Sequence, residues 1–136
     1  MLRKKAVILG TMRMVRCAAE ECRYIAPLMR IRPPSPSAPL AAIDIGSNSF
    51  RIETGQVLHG RYRRSAYLKE TVRLGAGLDA DHRLTEEAMQ RGLACLSRFT
   101  ETLRGFEPAR VRAVATQTLR EARNRDEFLR RAQTAL

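Results

Sequence analysis

"LAAIDIGSNSFRIE", residues 40–53, decides the fold and contains the residues of greatest chemical interest. Residues 40–45 form a short, mostly apolar run that includes one carboxylate, Asp44, and a loop of Gly, Ser and Asn follows. Such a run is typical of a buried strand, and residues 49–58 are typical of a second strand beyond the loop. The acid at the end of a buried strand, beside small loop residues, makes this loop the first candidate for a functional site.

The residues after this stretch predict strands first and a long helix next. A hairpin turn is expected at His59–Gly60, a third strand over residues 61–74 and a loop over residues 75–83. Thr85 predicts a helix N-cap, and Gly105 predicts the end of that helix. Between them apolar residues recur at helical spacing, and they are Met89, Leu93, Leu96, Phe99 and Leu103.

The remaining sequence predicts a fourth strand over residues 110–116 and a short helix over residues 118–124. Asp126 is expected to cap a last helix over residues 127–136. Two strands joined by a tight turn, followed by a helical crossover to another strand, indicate an α/β fold with a mixed sheet.

Length and charge divide the chain into two expected regions. The 136 residues suit one domain, and the net charge of +11 predicts an affinity for polyanions. Residues 1–38 hold eight basic and two acidic residues, whereas the rest holds 17 basic and 12 acidic ones. The stretch "PPSPSAP" at 33–39 predicts a stiff linker. We therefore expect a disordered basic extension over residues 1–39, or a start assigned too far upstream, and a globular region over residues 40–136.

The cysteines and the hydropathy suggest where the protein resides. Three cysteines, at positions 17, 22 and 95, lack the spacing of a zinc site, and an odd number is typical of a reducing, cytoplasmic setting. Cys95 falls within the helical pattern and is expected to be a small core residue. No apolar run approaches the roughly 20 residues of a membrane-spanning helix, so we expect no membrane partner.

The loop "DIGSNS" has a composition that suits phosphate and a metal ion. Gly46 allows the backbone to approach a ligand closely, and successive N–H groups of residues 46–48 can hold phosphate oxygens in one concavity. Asp44 can take part in binding Mg²⁺, usually through water. The same residue types are common in plain hairpin turns, so the loop alone leaves both interpretations open. The sequence contains neither GxxxxGK[ST] nor GxGxxG, which excludes a P-loop and a Rossmann fingerprint.

From about Leu40 to its last residue the chain resembles the exopolyphosphatase/guanosine pentaphosphate phosphatase (Ppx/GppA) family. Four segments carry the resemblance in order and spacing: "AAIDIGSNSFR", "RLGAGLD", "LTEEAMQRGLACLSRF" and "VRAVATQTLREARNRDEFLRRA". The resemblance implies an incomplete N-terminal lobe of ribonuclease-H-like fold, from the actin/hexokinase/Hsp70 superfamily. It also implies hydrolytic release of the terminal phosphate of inorganic polyphosphate or guanosine pentaphosphate, with Mg²⁺ as cofactor. Members of the family often form dimers, so a homodimer is expected of a full-length protein.

The family also implies roles for individual residues. Asp44 would help to place the metal, whereas Thr116 at a strand end and Arg120 at the start of a helix would face the site, with Asn124 further on. Arg73 is a secondary candidate for phosphate contact, and the neighbouring segment Gly75–Gly77 is expected to be structural. The residues to which the resemblance assigns phosphate binding are Gly46, Ser47, Asn48, Ser49, Thr116 and Arg120.

The resemblance places the catalytic base, a glutamate, beyond Leu136, together with a second glycine-rich loop and the second lobe. No catalytic residue is therefore expected in this chain. We interpret the sequence as an N-terminal fragment that is inactive alone. Its core of about 97 residues is expected to be marginally stable.

A non-catalytic polyanion-binding module is the alternative interpretation. It predicts salt-sensitive binding of RNA or DNA as strong as that of polyphosphate, with no effect of Asp44→Ala. Three Tyr, four Phe and no Trp supply few stacking platforms, which disfavours nucleic acid as the partner. A sugar kinase or ATPase of the same superfamily ranks third, because its nucleotide site would need the second lobe.

Overall fold

A single mixed sheet organises the chain in the computed structural model, which describes residues 7–9 and 37–136. Its strands are β1 Val7–Leu9, β2 Leu40–Ile45, β3 Ser49–Leu58, β4 Arg61–Thr71 and β5 Val111–Ala115. Across the sheet they lie in the order β1-β5-β2-β3-β4. Because β2 runs antiparallel to β3 and parallel to β5, the predicted mixed α/β sheet is confirmed.

Most of the predicted extension over residues 1–39 lies outside the described residues, so its disorder stays a prediction. The short strand β1 comes from that region and pairs antiparallel with the edge of β5, with Val7 opposite Ala115. The sequence did not predict this strand, because three apolar residues in a row do not show the alternation of apolar and polar residues that is typical of a strand.

Three helices complete the fold: α1 Glu86–Phe99, α2 Gln117–Glu121 and α3 Arg125–Ala135. The predicted cap of α1 is confirmed, since the Thr85 hydroxyl accepts a hydrogen bond of 3.3 Å from the N–H of Ala88. After Phe99 a 3₁₀ turn, Thr100–Leu103, leads to Gly105, whose φ of +82° suits glycine. None of the described helices has the length and apolar character needed to cross a membrane.

Several predicted boundaries differ from the structure: the fourth strand, predicted over 110–116, is Val111–Ala115, and the two last helices, predicted over 118–124 and 127–136, are Gln117–Glu121 and Arg125–Ala135. The third strand ends at Thr71 rather than residue 74, because the N–H groups of Val72 and Arg73 turn toward the carbonyl oxygen of Asn48. The predicted cap at Asp126 was wrong: Asn124 is the N-cap of α3, and Asp126 lies in the first turn.

The hydrophobic core lies between one face of the sheet and the helices α1 and α3. Ile43, Ile45, Phe50 and Ile52 are buried on the sheet side, and the helices contribute their own buried residues, which include Cys95, Leu96, Phe99, Phe128 and Leu129. Cys95 is completely buried, which confirms its predicted place in the core. Side chains alternate along a strand, so Asp44, Arg51 and Glu53 project from the opposite face, called the open face below.

Candidate functional site

The loop of residues 46–48 between β2 and β3 turns its carbonyl groups toward the chain that follows β4. The N–H groups of Val72 and Arg73 donate to the Asn48 oxygen at 2.9 and 2.8 Å, and the N–H of Gly75 donates to the Ser47 oxygen at 2.8 Å. Within the described part of the chain no hydrogen bond engages the N–H of Ser47 or Asn48. The loop therefore keeps two amide donors for an anion while its carbonyls are satisfied.

Gly46 is required by the shape of this loop. A Cβ atom built on it would lie 2.5 Å from the main-chain oxygen of Ser49, to which the Gly46 N–H donates at 3.2 Å. No L side chain fits that approach, which gives the sequence-predicted glycine a geometric reason. Ser49 itself is buried beneath the loop, where its hydroxyl accepts from the side-chain amide of Asn48 at 3.4 Å.

Asp44 stands on the open face at the end of β2, directly opposite Arg51 on β3. Arg51 Nη1 lies 3.6 Å from Asp44 Oδ2. The other carboxylate oxygen, Oδ1, is buried and has no hydrogen-bond partner within the described residues. A buried anionic oxygen without a partner is costly, so a cation or its bound water at this position would stabilise it.

The donor chemistry of Asp44 fits Mg²⁺, which prefers oxygen ligands and keeps much of its hydration. The described residues contain no group of three His, Cys, Asp or Glu side chains that could enclose an ion. Asp44 can therefore supply one ligand, and water or phosphate oxygens would have to supply the others.

The parallel pairing of β2 with β5 brings a second segment to the loop. Ile45 pairs with Ala115, so Thr116 follows β5 beside the start of the loop. Both the N–H and the hydroxyl of Thr116 donate to the Ile45 oxygen, at 3.1 and 3.3 Å. Thr116 thus lies where the sequence predicted it, but its hydroxyl proton is engaged, which leaves its oxygen as an acceptor.

Arg120 was expected at the start of a helix, and this was wrong. It is the fourth residue of the five-residue helix α2 and lies in the last turn. The side chain is exposed. Any anion contact by Arg120 must therefore come from its guanidinium rather than from a helix N-terminus.

Gly75 is the point at which the loop and α2 meet. A Cβ atom on Gly75 would lie 3.0 Å from Thr118 Oγ1 and 3.3 Å from Ser47 Cβ. Gly77 is still more confined, since its Cβ would lie 2.1 Å from that of Ala88. The two glycines therefore have the structural role expected of them, because they allow the loop, α1 and α2 to pack together.

Arg73 adopts a left-handed backbone conformation, with a φ of +53°. This conformation is uncommon for a residue with a side chain, and here the hydrogen bond from the Arg73 N–H to the loop holds it. The guanidinium belongs to an exposed residue. A phosphate contact by Arg73 stays a prediction.

Asn124, expected to face the site, serves instead as a buried clamp. Its Oδ1 accepts from the Leu84 N–H at 2.8 Å, and its Nδ2 donates to the Leu84 oxygen at 2.9 Å. The neighbouring Arg123 N–H donates to the oxygen of His82 at 2.8 Å. These bonds fasten the junction of α2 and α3 to the segment before α1, which leads back to Gly75.

Arg51 is the site residue that the sequence analysis missed. The spacing could have revealed it, because residues equally far from the centre of a hairpin turn face one another, and Asp44 and Arg51 flank the loop symmetrically. The loop thus combines two free N–H groups, one partnerless carboxylate oxygen and a neighbouring guanidinium. This set can bind a phosphate group together with a cation.

Comparisons with known proteins show what the chain as a whole is similar to. The sequence profile of the Ppx/GppA phosphatase family matches residues 60–136. A Haemophilus influenzae protein named "Putative exopolyphosphatase" is 46% identical over 93 residues, which cover 68% of this chain and 29% of that protein.

Solved structures show the same relationship. An Aquifex aeolicus Ppx/GppA enzyme is 33% identical, with a TM-score of 0.65, over 72% of this chain and 33% of the other. An exopolyphosphatase from Cytophaga hutchinsonii is 28% identical, with a TM-score of 0.66, over 71% of this chain and 31% of the other. The chain spans about a third of the length of these relatives. The similarities confirm the predicted fold, a partial lobe of the actin-like type.

Proposed function

Because the chain belongs to the Ppx/GppA phosphatase family, we propose that it forms the first phosphate-binding lobe of a hydrolase of the exopolyphosphatase type. The proposed reaction releases the terminal phosphate of inorganic polyphosphate or of guanosine pentaphosphate. One observation supports the site above others: the carbonyls of Ser47 and Asn48 accept from residues 72–75, and no group in the described part of the chain accepts from the N–H of either residue, beside Asp44. We also propose a cytoplasmic location, because an odd number of cysteines is typical of a reducing compartment.

The roles follow from the positions of the groups. The free N–H groups of Ser47 and Asn48 would hold oxygens of the terminal phosphate, and the guanidinium of Arg51 would add a charged donor. Asp44 would hold a hydrated Mg²⁺, which when bound neutralises negative charge on a phosphoryl group. Thr116 and Arg120 are proposed to contact the same phosphate from the β5 side.

Binding alone does not produce turnover. Hydrolysis of a phosphoanhydride needs an oriented water, a base for its proton and stabilisation of charge on several oxygens. The described residues contain no group of three His, Cys, Asp or Glu side chains, and Glu53, the other acid placed above on the open face, is engaged by Tyr62 and Arg64. We therefore propose that the chain binds its substrate but does not hydrolyse it at a measurable rate.

Calorimetric titration with tripolyphosphate, with and without Mg²⁺, tests the proposal. We expect saturable binding that strengthens with Mg²⁺ and weakens at least tenfold, about 1.4 kcal/mol, in Asp44→Asn. Asp81→Asn is the matched control, because it removes the same charge at an exposed turn away from the loop. Phosphate release should equal that of the buffer.

The same titration separates the proposal from the polyanion-binding alternative. Equal affinity for single-stranded RNA and for tripolyphosphate, with no loss in Asp44→Asn, would contradict the phosphate site and support a non-catalytic module. Phosphate release that depends on Asp44 would contradict the proposed inactivity of the isolated chain.

A further inference from the structure

The β3–β4 hairpin, residues 49–71, carries an exposed strand edge on the side of the sheet away from β5. We propose that this edge binds an acidic, extended segment of a partner protein, which adds to the sheet beside β4. The turn-side part of this edge, which the test below addresses, lies at the other end of the hairpin from the phosphate site, whereas Lys69 pairs with Arg51 of that site.

The edge is long, and no strand within residues 7–9 or 37–136 pairs with its outer side. β4 is the last strand in the sheet order and has 11 residues, Arg61–Thr71. The pairing of β2 with β3 stops at Leu40 and Gly55, so the distal part of the hairpin is a ribbon of two strands. An edge strand of this length presents a row of unpaired backbone N–H and C=O groups that another extended chain can bind.

Apolar groups are concentrated on this hairpin. The large exposed hydrophobic residues of the described chain all lie there: Val57, Tyr62, Tyr67 and Leu68, with exposures of 36, 51, 46 and 45%. Leu68 pairs with the buried Ile52 and so projects on the helix side, whereas Tyr67 pairs with Glu53 on the open face. A strand added to β4 would therefore find apolar contacts on both of its faces.

Contacts on the open face hold part of this surface in place. The Tyr62 hydroxyl donates to Glu53 Oε1 at 2.9 Å, and the guanidinium carbon of Arg64 lies 5.5 Å from the centre of the Tyr67 ring. Held aromatic and arginine side chains are the residue types most often found at the energetic centres of protein interfaces. They can contribute contact area without a further loss of side-chain freedom.

The positive charge of β4 indicates that its partner is acidic. The strand holds four basic residues and one acid, Glu70, and that acid is already paired with Arg98 of α1. Arg61, Arg63 and Lys69 form no ion pair with any described residue. Acidic side chains on an incoming strand would give these cations partners, and basic ones would be repelled.

The same charges argue against the other occupants. A second copy would bring an equally basic strand, and the whole chain carries a net charge of +11, so self-pairing is disfavoured. A phosphate polymer could neutralise the cations and accept from the strand's N–H groups, but it has no donors for the strand's C=O groups and no apolar surface for Tyr62, Tyr67 and Leu68. A peptide segment with alternating acidic and apolar residues satisfies all three features.

A labelled peptide of alternating Glu and Val, of about ten residues and ~33 Å when extended, is the probe. Fluorescence anisotropy should show saturable binding to the 136-residue chain, and hydrogen exchange of the backbone amides over residues 61–71 should slow at least fivefold. The double variant Arg61→Glu/Arg63→Glu should lower the affinity at least tenfold. The matched control, Arg83→Glu/Arg130→Glu, reverses two exposed charges outside the hairpin and should leave it unchanged.

Two further peptides and one measurement make the test decisive. A version methylated on alternate backbone nitrogens, with the same charge, should not bind, and neither should a version with Lys in place of Glu. Equal binding of the methylated peptide would overturn the proposal, because charge alone would then explain the affinity. Sedimentation equilibrium that shows a dimer which Arg61→Glu/Arg63→Glu dissociates would overturn it as well, since a second copy would then occupy the edge.

Discussion

In the loop after β2, the carbonyl group and the N–H group of one residue have different roles. Ser47 and Asn48 give their carbonyls to the fold and keep their N–H groups for a ligand. Gly46 allows this arrangement, because its missing side chain leaves room for the Ser49 oxygen. The phosphate binding proposed for the loop would thus depend more on main-chain geometry than on side-chain identity.

Gly46→Ala should abolish that geometry. A Cβ atom 2.5 Å from a backbone oxygen forces the loop to move, so we expect the affinity for tripolyphosphate to fall at least tenfold. Calorimetric titration measures the loss. Gly105→Asn is the control, because its left-handed turn has open space around it and asparagine tolerates that conformation. A Gly46→Ala variant that binds normally would show that the loop amides are not the phosphate ligands.

The sequence predicted the members of the site better than their contacts. Asp44 and Gly46 could be selected only with the help of the family resemblance, because the same residue types are common in plain hairpin turns. Arg51 could not be selected by residue type in a chain with many arginines, and only the pairing register identifies it. The clamp made by Asn124 was unpredictable, since its partner Leu84 lies 40 residues away in sequence.

Among the elements, strands and the long helix were predictable because their patterns are local. β2 and β3 have the predicted bounds, and Thr85 caps α1 as expected. The ends of elements were less predictable, because acceptors that are distant in the sequence compete for the backbone N–H groups there. β4 stops early because the loop at Asn48 accepts from the residues after it, and α2 stops after five residues, before Arg123 donates to His82.

Asn124→Ala should loosen the junction of α2 and α3. It would leave the buried N–H and C=O of Leu84 without partners, which we expect to lower the free energy of unfolding by about 2–3 kcal/mol. Urea denaturation followed by circular dichroism measures this. Gln117→Ala, which removes only an exposed side-chain contact with Glu121, should change stability little. Equal effects of the two substitutions would contradict the clamp.

The contact between Glu86 of α1 and Arg131 of α3 should weaken at acid pH. Hydrogen bonds from Arg131, and then from Gln90, lower the pKa of Glu86 from 4.5 to about 2. A lowered pKa in the folded state gives stability that is present above pH 4.5 and is lost as the pH falls toward 2.

Glu86→Gln tests this dependence. Between pH 4.5 and 2 the free energy of unfolding should fall less steeply in the variant than in the unaltered chain. Glu107→Gln, at an exposed position outside any ion pair of the described residues, is the control. Identical pH profiles for the unaltered chain and Glu86→Gln would show that the contact with Arg131 does not persist in solution.

For the whole molecule, the buried thiol of Cys95 reports on global opening. Burial, and then the nearby Glu70, raise the pKa of Cys95 to about 12, so the thiol stays neutral and inaccessible in the folded chain. In a Cys17→Ser/Cys22→Ser background, alkylation at pH 8 should be at least 100-fold slower than in urea. It should accelerate with every substitution that lowers stability. Equal rates with and without urea would mean that the lobe does not hold its core closed.

The parallel pair β2–β5 can form only late in synthesis, because its two strands lie far apart in the sequence. Ile43 pairs with Ala113, which lies 113 − 43 = 70 positions later, and this length of chain must be synthesised before that edge of β2 can be covered. At about 5–20 residues per second this takes roughly 4–14 s. During that interval the nascent chain can form the antiparallel β2–β3–β4 meander while the β5 side of β2 stays uncovered. Chaperones that bind extended apolar segments therefore have a window of several seconds, which closes only when β5 emerges and pairs.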